Sequence, residues 1–267
     1  MPRQTTVTYH VYSTPADVAR AAAELFASSV SAAASARGVA RVAISGGTTP
    51  KAMFALLADP AQPFAASVPW DKLDLYWVDE RCVPPTDAES NYRMTNETLL
   101  SKVPLAAERI HRMEGELEPE VAAARYEAAI RNGFKLEGAE TPTFDLVMLG
   151  MGDDGHTASL FPHTEALNEM AKIVTANHVP QKDTWRITLT WPVINQGREV
   201  AFLIEGEKKA DVLHEVFEGQ YQPETYPSQI IRPSSGQLTL LLDKAAAAKL
   251  PEPKDGSAGF TGTLELR

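Results

Sequence analysis

Cysteine is nearly absent: Cys82 stands alone among 267 residues, so no disulfide forms within the chain and a disulfide-stapled secreted scaffold is excluded. Long apolar runs are missing as well. No segment approaches the roughly 20 apolar residues needed to cross a bilayer, and Met1 to Val11 lacks the apolar core of a secretory signal. These features suit a cytoplasmic protein with no membrane partner. Positive charge is in deficit, with 25 Lys and Arg against 35 Asp and Glu and a net charge of -10. That argues against a nucleic-acid partner, because phosphate backbones reward clustered Lys and Arg. A small anionic ligand remains compatible, since a few local cations and backbone N–H groups hold one phosphate.

Several catalytic signatures are also lacking. There is no Walker loop, no Gly-x-Gly-x-x-Gly fingerprint and no Gly-x-Ser-x-Gly elbow. Cys82 has only Arg81 as a basic neighbour and reads as a packed thiol. What is present is an ordinary balance of 44% hydrophobic and 22% charged residues, enough for one large α/β domain spanning 1–267.

Hydrophobic periodicity supplies the elements. Val7 to Tyr12 is a short strand, followed by an amphipathic, Ala-rich helix from Ala16 to Ala36 capped by Ser13 or Thr14. Arg41 to Ile44, Leu73 to Val78, Phe144 to Leu149, Trp185 to Thr190, Val200 to Ile204 and Leu238 to Leu242 read as further strands. Helices are expected after Pro50, taken as the first helical residue, near Ser90 or Asn91, over Glu207 to Phe217 and at Ala245 to Ala248. Strand–helix alternation predicts an open, mainly parallel sheet with helices on both faces. The tail after about 250 is either mobile or adds a last strand at Thr261 to Leu266.

Three polar or Gly-rich clusters follow apolar strands, which in open α/β sheets is where the ligand crevice lies. Ser45-Gly46-Gly47-Thr48-Thr49-Pro50 can bring backbone N–H groups and hydroxyls to an anion; a tight strand-to-helix turn explains it equally. In Asp79-Glu80-Arg81 the arginine can grip a phosphate bidentately, or the charges form a solvated loop pair. Asn91 faces the same crevice or caps its helix. In Gly150-Met151-Gly152-Asp153-Asp154-Gly155-His156, a histidine two residues after a carboxylate suits a general base oriented by an acid. A metal site would need a second ligand at helical spacing, and none follows, so no metal or other cofactor is expected.

Together these segments resemble the 6-phosphogluconolactonase family, within the fold group of glucosamine-6-phosphate deaminases. The resemblance rests on Ala43 to Pro50, on Trp77 to Pro84 with Ser90-Asn91-Tyr92, on Gly150 to Pro162, on Arg186 to Thr190 and on Gly206 to Ala210. It implies a Rossmann-like α/β fold and hydrolysis of 6-phospho-D-glucono-1,5-lactone in the oxidative pentose phosphate pathway. It further implies phosphate contacts from Ser45, Gly46, Gly47, Thr48 and Arg81, with Lys209 (or Lys208) and Arg186 as further cations. His156 is then the base, Asp154 its orienting acid, and N–H groups around Gly152 or Gly155 the oxyanion donors. Asp79 occupies the position of the deaminases' proton-transferring acid. The partner is a small sugar-phosphate lactone; a monomer is compatible, and oligomeric state is left open.

Two rivals stand beside this reading. A deaminase or isomerase would use the same anchor, but such enzymes carry Asp-Glu-Tyr where this chain has Asp79-Glu80-Arg81. They also lack the Ser159-Leu160-Phe161-Pro162 ending. A sugar-phosphate sensor would need a DNA-binding module, and no basic helix-turn-helix segment precedes Val7.

Overall fold

The structure, a computed structural model, describes residues 6–251 and 261–266. Its strands are β1 (Thr6–Tyr12), β2 (Ala40–Ile44), β3 (Leu73–Trp77), β4 (Asp79–Arg81), β5 (Ile110–His111), β6 (Leu146–Leu149), β7 (Val174–Val179), β8 (Thr184–Leu189), β9 (Glu199–Ile204), β10 (Gln237–Asp243) and β11 (Thr261–Glu265). The α-helices are α1 (Pro15–Arg37), α2 (Thr48–Leu57), α3 (Asn91–Thr98), α4 (Pro119–Phe134), α5 (Trp191–Ile194) and α6 (Ala210–Phe217). Eight strands form one sheet in the order β11-β1-β10-β9-β6-β2-β3-β5. Every pairing in it is parallel except β1 with β11.

Side-chain alternation along the strands divides the core into two layers. Val42, Ile44, Leu146, Met148, Ala201 and Leu203 face one side, where Val18, Ala22, Phe26 and Val30 of α1 and Met53, Phe54 and Leu57 of α2 pack. Ala43, Val147, Leu149, Val200, Phe202 and Ile204 face the other, against Ala122, Tyr126 and Ile130 of α4 and Leu213 and Val216 of α6. Helices thus cover both faces of a mainly parallel sheet, as the strand–helix alternation predicts. The sequence signals at α1 act as expected: Thr14 accepts from the Asp17 N–H, Asp17 reaches back to the Thr14 N–H, and Gly38 closes the helix at φ 79°.

Several expectations are corrected. The helix after Ile44 begins at Thr48, so Pro50 is its third residue rather than its first. This is tolerated because N–H groups of the first turn have no partner within the helix. Trp185 to Thr190 does not join the parallel sheet. It forms β8 of a second, antiparallel sheet in the order β4-β8-β7, packed on the same side as α4 through Ile187 and Leu189. Asp79-Glu80-Arg81 is likewise a strand of that sheet and not a loop. Ala245 to Ala248 gives only a single 3-10 turn, Ala246–Lys249, and Glu207 to Phe217 starts with another, Glu207–Lys209. Among residues 261–266 the tail supplies β11; the mobile alternative falls mainly on 252–260, which lie outside the described residues. Among the described residues no helix is long and apolar enough to cross a membrane.

The chain passes from the large sheet to the small one between Trp77 and Asp79, and one side chain secures the crossing. Tyr126 of α4, 2% exposed, accepts from the Trp77 N–H at 2.8 Å and donates to the Trp77 carbonyl at 3.0 Å. Val78 then donates to Ile44 of the large sheet and accepts from Leu189 of the small one. Tyr126→Phe leaves both polar groups of Trp77 buried and unpaired, at about 1–3 kcal/mol per group. Urea denaturation is expected to show a loss of about 2–4 kcal/mol, larger than a surface Tyr→Phe change gives.

Candidate active site

Four neighbouring parallel strands, β9, β6, β2 and β3, end at one edge of the sheet. From β2 the chain moves outward to β3, and from β6 it moves the other way to β9, which makes the β2/β6 pair a switch point where a crevice opens. A cavity of about 410 Å³ lies there. It is lined by Ser45, Gly46, Gly47 and Thr48 after β2, Asp79 and Arg81 of β4, and Asn91 of α3. Gly152 and His156 after β6, and Glu205 and Lys209 after β9, also line it.

The strand geometry of β4 sorts its three charges, because alternate residues share a face. Asp79 and Arg81 turn to the cavity, whereas Glu80 turns to the start of α3. There its carboxylate accepts from the Asn91 N–H at 2.7 Å, the Tyr92 N–H at 2.8 Å and the Ser90 hydroxyl at 3.0 Å. Burial pushes the Glu80 carboxyl up, against those hydrogen bonds and that of the Arg81 N–H. Ser90 is the N-cap of α3, so Asn91 is free of the capping role that the sequence left open to it. Its amide instead donates to the Asp79 carbonyl at 3.0 Å. A Cβ on Gly46 would lie 1.8 Å from Asn91 Oδ1, so only glycine admits this close approach.

The base candidate is fixed on two sides. His156 Nδ1 lies 2.5 Å from Asp154 Oδ1, and its ring stacks on Phe161 at 3.9 Å between centroids and 19° between planes. Burial opposes ionisation of Asp154, but the hydrogen bond and charge of His156 and nearby backbone N–H groups outweigh it and hold the carboxyl down at about 2. An ionised carboxylate can only accept, so Nδ1 carries the proton, and in the neutral form of the ring it is Nε2 that holds the lone pair. Gly152 lies under this pair: a Cβ there would sit 2.1 Å from His156 Nδ1 and 2.6 Å from Asp154 Oδ1.

Other donors in the cavity are unfilled. Ser45 Oγ and Arg81 Nε are buried with no hydrogen-bond partner, and so is Arg186 Nε. Arg186 stands opposite Arg81 in the β4–β8 pairing but is not among the cavity-lining residues. Burial and then the charge of Arg81 push its guanidinium pKa down. Of the two lysines, Lys209 lines the cavity, ion-paired to Asp153, while Lys208 is exposed. The expectation for oxyanion donors fails for both named glycines. The Gly152 N–H is taken by the His156 carbonyl and the Gly155 N–H by the Gly152 carbonyl, since the loop closes on itself. Cys82 is a poor nucleophile, its thiol pushed up to about 11 chiefly by burial. Among the described residues no three His, Cys, Asp or Glu side chains are grouped to hold a metal ion.

The family profile described as Glucosamine-6-phosphate isomerases/6-phosphogluconolactonase matches residues 13–240. A relative from Nostoc sp. named 6-phosphogluconolactonase is 42% identical over 211 residues, 78% of this chain and 84% of its own length. The chain belongs to this family. Among solved structures, 6-phosphogluconolactonase from Trypanosoma cruzi superposes with a TM-score of 0.80 at 30% identity, over 91% of this chain and 97% of its own. A monomeric glucosamine-6-phosphate deaminase shares the fold with a TM-score of 0.74 at 18% identity, over 91% of this chain and 99% of its own. At that distance the likeness concerns the fold alone, so a common fold does not choose between the two chemistries.

Sequence reading placed Ser159 and Thr188 in matched segments without giving them a role and did not single out Asn177; the three side chains meet at the loop after His156. Asn177 lies on β7, a strand the sequence reading did not recognise. Two outcomes are expected from this geometry. Gly152→Ala displaces the His156 ring, so steady-state kinetics should show a lower kcat while thermal unfolding stays cooperative. Asp154 has a folded pKa of about 2, below the roughly 3.9 of an unfolded aspartate. Its contribution to stability is therefore present above about pH 4 and is lost as pH falls toward 2. Asp154→Asn should flatten that acid limb of the stability–pH curve followed by denaturant titration.

Proposed function

We propose that this chain hydrolyses 6-phospho-D-glucono-1,5-lactone to 6-phosphogluconate, with His156 as general base. One observation carries the reading: His156, tied through Nδ1 to an ionised Asp154, lines the same cavity as the Ser45 hydroxyl and Arg81 Nε, both buried without a hydrogen-bond partner. A base at one place and unfilled anion donors at another fit a substrate with a hydrolysable carbonyl and a remote phosphate. Relatives of similar length carry this activity as their name. A cytoplasmic location suits the single thiol and the phosphorylated substrate.

In this mechanism the phosphate docks on Ser45, Gly46, Gly47 and Thr48, with Arg81 and Lys209 supplying charge. Lys209 exchanges Asp153 for the phosphate as it does so. Arg186 contributes its charge from beside Arg81. Anchoring the remote group positions the lactone carbonyl against the base. His156 Nε2 removes a proton from water as the water oxygen bonds to the carbonyl carbon. The tetrahedral intermediate then collapses: the carbon–ring-oxygen bond breaks, and the imidazolium returns its proton to the departing oxygen. Asp154 stabilises the imidazolium throughout. No step calls for a metal or organic cofactor. Arg81 and the Ser159-to-Pro162 ending favour lactone opening over deamination.

The test follows loss of freshly generated 6-phosphogluconolactone, with spontaneous hydrolysis subtracted. His156→Ala is expected to lower kcat by about 10²- to 10⁴-fold with little change in KM, and Arg81→Ala to raise KM by about 10- to 100-fold. A chelator should leave the wild type unchanged. Wild-type loss no faster than buffer would overturn the assignment, and ammonia release from glucosamine 6-phosphate would replace it with the deaminase reading.

A further inference from the structure

The segment after His156 contains a strained residue held by its neighbours. Ala158 has φ 48°, in the left-handed region that side chains other than glycine rarely adopt. The next residue, Ser159, is 1% exposed, and each of its polar groups is engaged by the small sheet. Its N–H donates to Thr188 Oγ1 of β8 at 3.2 Å, and its carbonyl accepts from Asn177 Nδ2 of β7 at 2.8 Å. Its hydroxyl donates to Asp79 Oδ2 of β4 at 2.7 Å. The other oxygen of Asp79 lies 3.4 Å from Asn91 Nδ2, and the Asn91 side chain packs against Gly46 of the anion loop.

We infer that Asp79 is a positioning residue that locks the His156 loop to the phosphate loop, through Ser159 on one side and Asn91 on the other. The inference rests on the proposed lactone hydrolysis and assigns Asp79 no proton to carry. Both carboxylate oxygens face donors that belong to the scaffold. The chain Gly46–Asn91–Asp79–Ser159 therefore joins the two ends of the cavity by direct contact. From Asn91 through Asp79 to Ser159 the links are buried and polar, and such a chain fixes geometry because losing one member leaves its neighbours unsatisfied. The strain at Ala158 has the same consequence: when the Ser159 bonds are released, the backbone relaxes and His156, two residues before Ala158, moves with it.

An amide distinguishes this role from proton transfer. In Asp79→Asn the amide oxygen still accepts from Asn91, and the amide nitrogen can donate to the Ser159 hydroxyl, which also accepts. The lock survives without the charge, and no proton can be carried. Asp79→Ala and Ser159→Ala each break the link to Ser159, while the Asn91 bond to the main-chain carbonyl of residue 79 remains. With fresh lactone as substrate, Asp79→Asn is expected to lose about 3- to 10-fold in kcat/KM. Asp79→Ala and Ser159→Ala should lose about 100-fold or more, through kcat and KM together. The Asp79→Ala/Ser159→Ala double variant should lose little beyond either single one, as members of one network are non-additive. The pH profile of Asp79→Asn should keep the limbs of the wild type.

Asp79→Asn as inactive as Asp79→Ala, or lacking one limb of the profile, would overturn the inference, as would a fully active Ser159→Ala. The His156 imidazole ¹⁵N resonances provide a readout independent of turnover. They should shift in both alanine variants and stay near wild-type positions in Asp79→Asn, with cooperative unfolding retained. Unshifted resonances in all three variants would overturn the lock even in a protein without lactonase activity. An inactive wild type with the expected shifts would overturn the lactonase reading alone.

Discussion

The parallel hydrogen bonding of β9, β6, β2 and β3 is the constraint on which the site depends. Parallel strands must all run out at the same edge, and the chain must return across a face of the sheet between them. Segments separated by more than 160 residues, from Ser45 to Lys209, consequently meet around one cavity. The loops that line it are anchored at their strand ends. Each is rooted in strand residues that are fully buried, such as Ile44, Leu149 and Phe202.

The small antiparallel sheet gives the site its second wall. By leaving the parallel sheet after Trp77, the chain turns what would be a loop into β4 and gives it period-two alternation. Asp79 and Arg81 therefore face the cavity while Glu80 serves α3. The neighbouring strands β7 and β8 supply Asn177 and Thr188, which clamp the backbone of Ser159. Rigid elements, rather than loop self-contacts alone, thus set the position of the histidine loop. The acid–base pair has a matching local logic: Asp154 selects the tautomer of His156, Phe161 fixes the ring plane, and Gly152 makes room for both.

Much of the fold is legible in the sequence because its signals are local. The Thr14–Asp17 capping box, the apolar stripe of α1 and the apolar run of β6 depend on residues within one turn or one strand. Sequence reading missed α4 despite its local Glu118 cap and Pro119 start, but other elements it missed or misplaced are ones whose state is set by distant partners. β5 has only two residues and exists through pairing with β3. Trp185 to Leu189 has strand character, but its sheet is chosen by β4 and β7.

At the site, the same division applies. Residue types alone determine that His156 and Asp154 are close enough to pair, and that a Gly-Gly turn followed by a helix leaves N–H groups free for an anion. Tertiary structure alone decides that Lys209 rather than Lys208 reaches the cavity, and that Arg186 stands beside Arg81 outside its lining. It also decides that Ser90 caps α3 while Asn91 turns to Asp79. The physical reason is range. A hydrogen bond across two residues is encoded by their spacing, whereas one across eighty, as between Ser159 and Asp79, exists only once two sheets have brought the strands together.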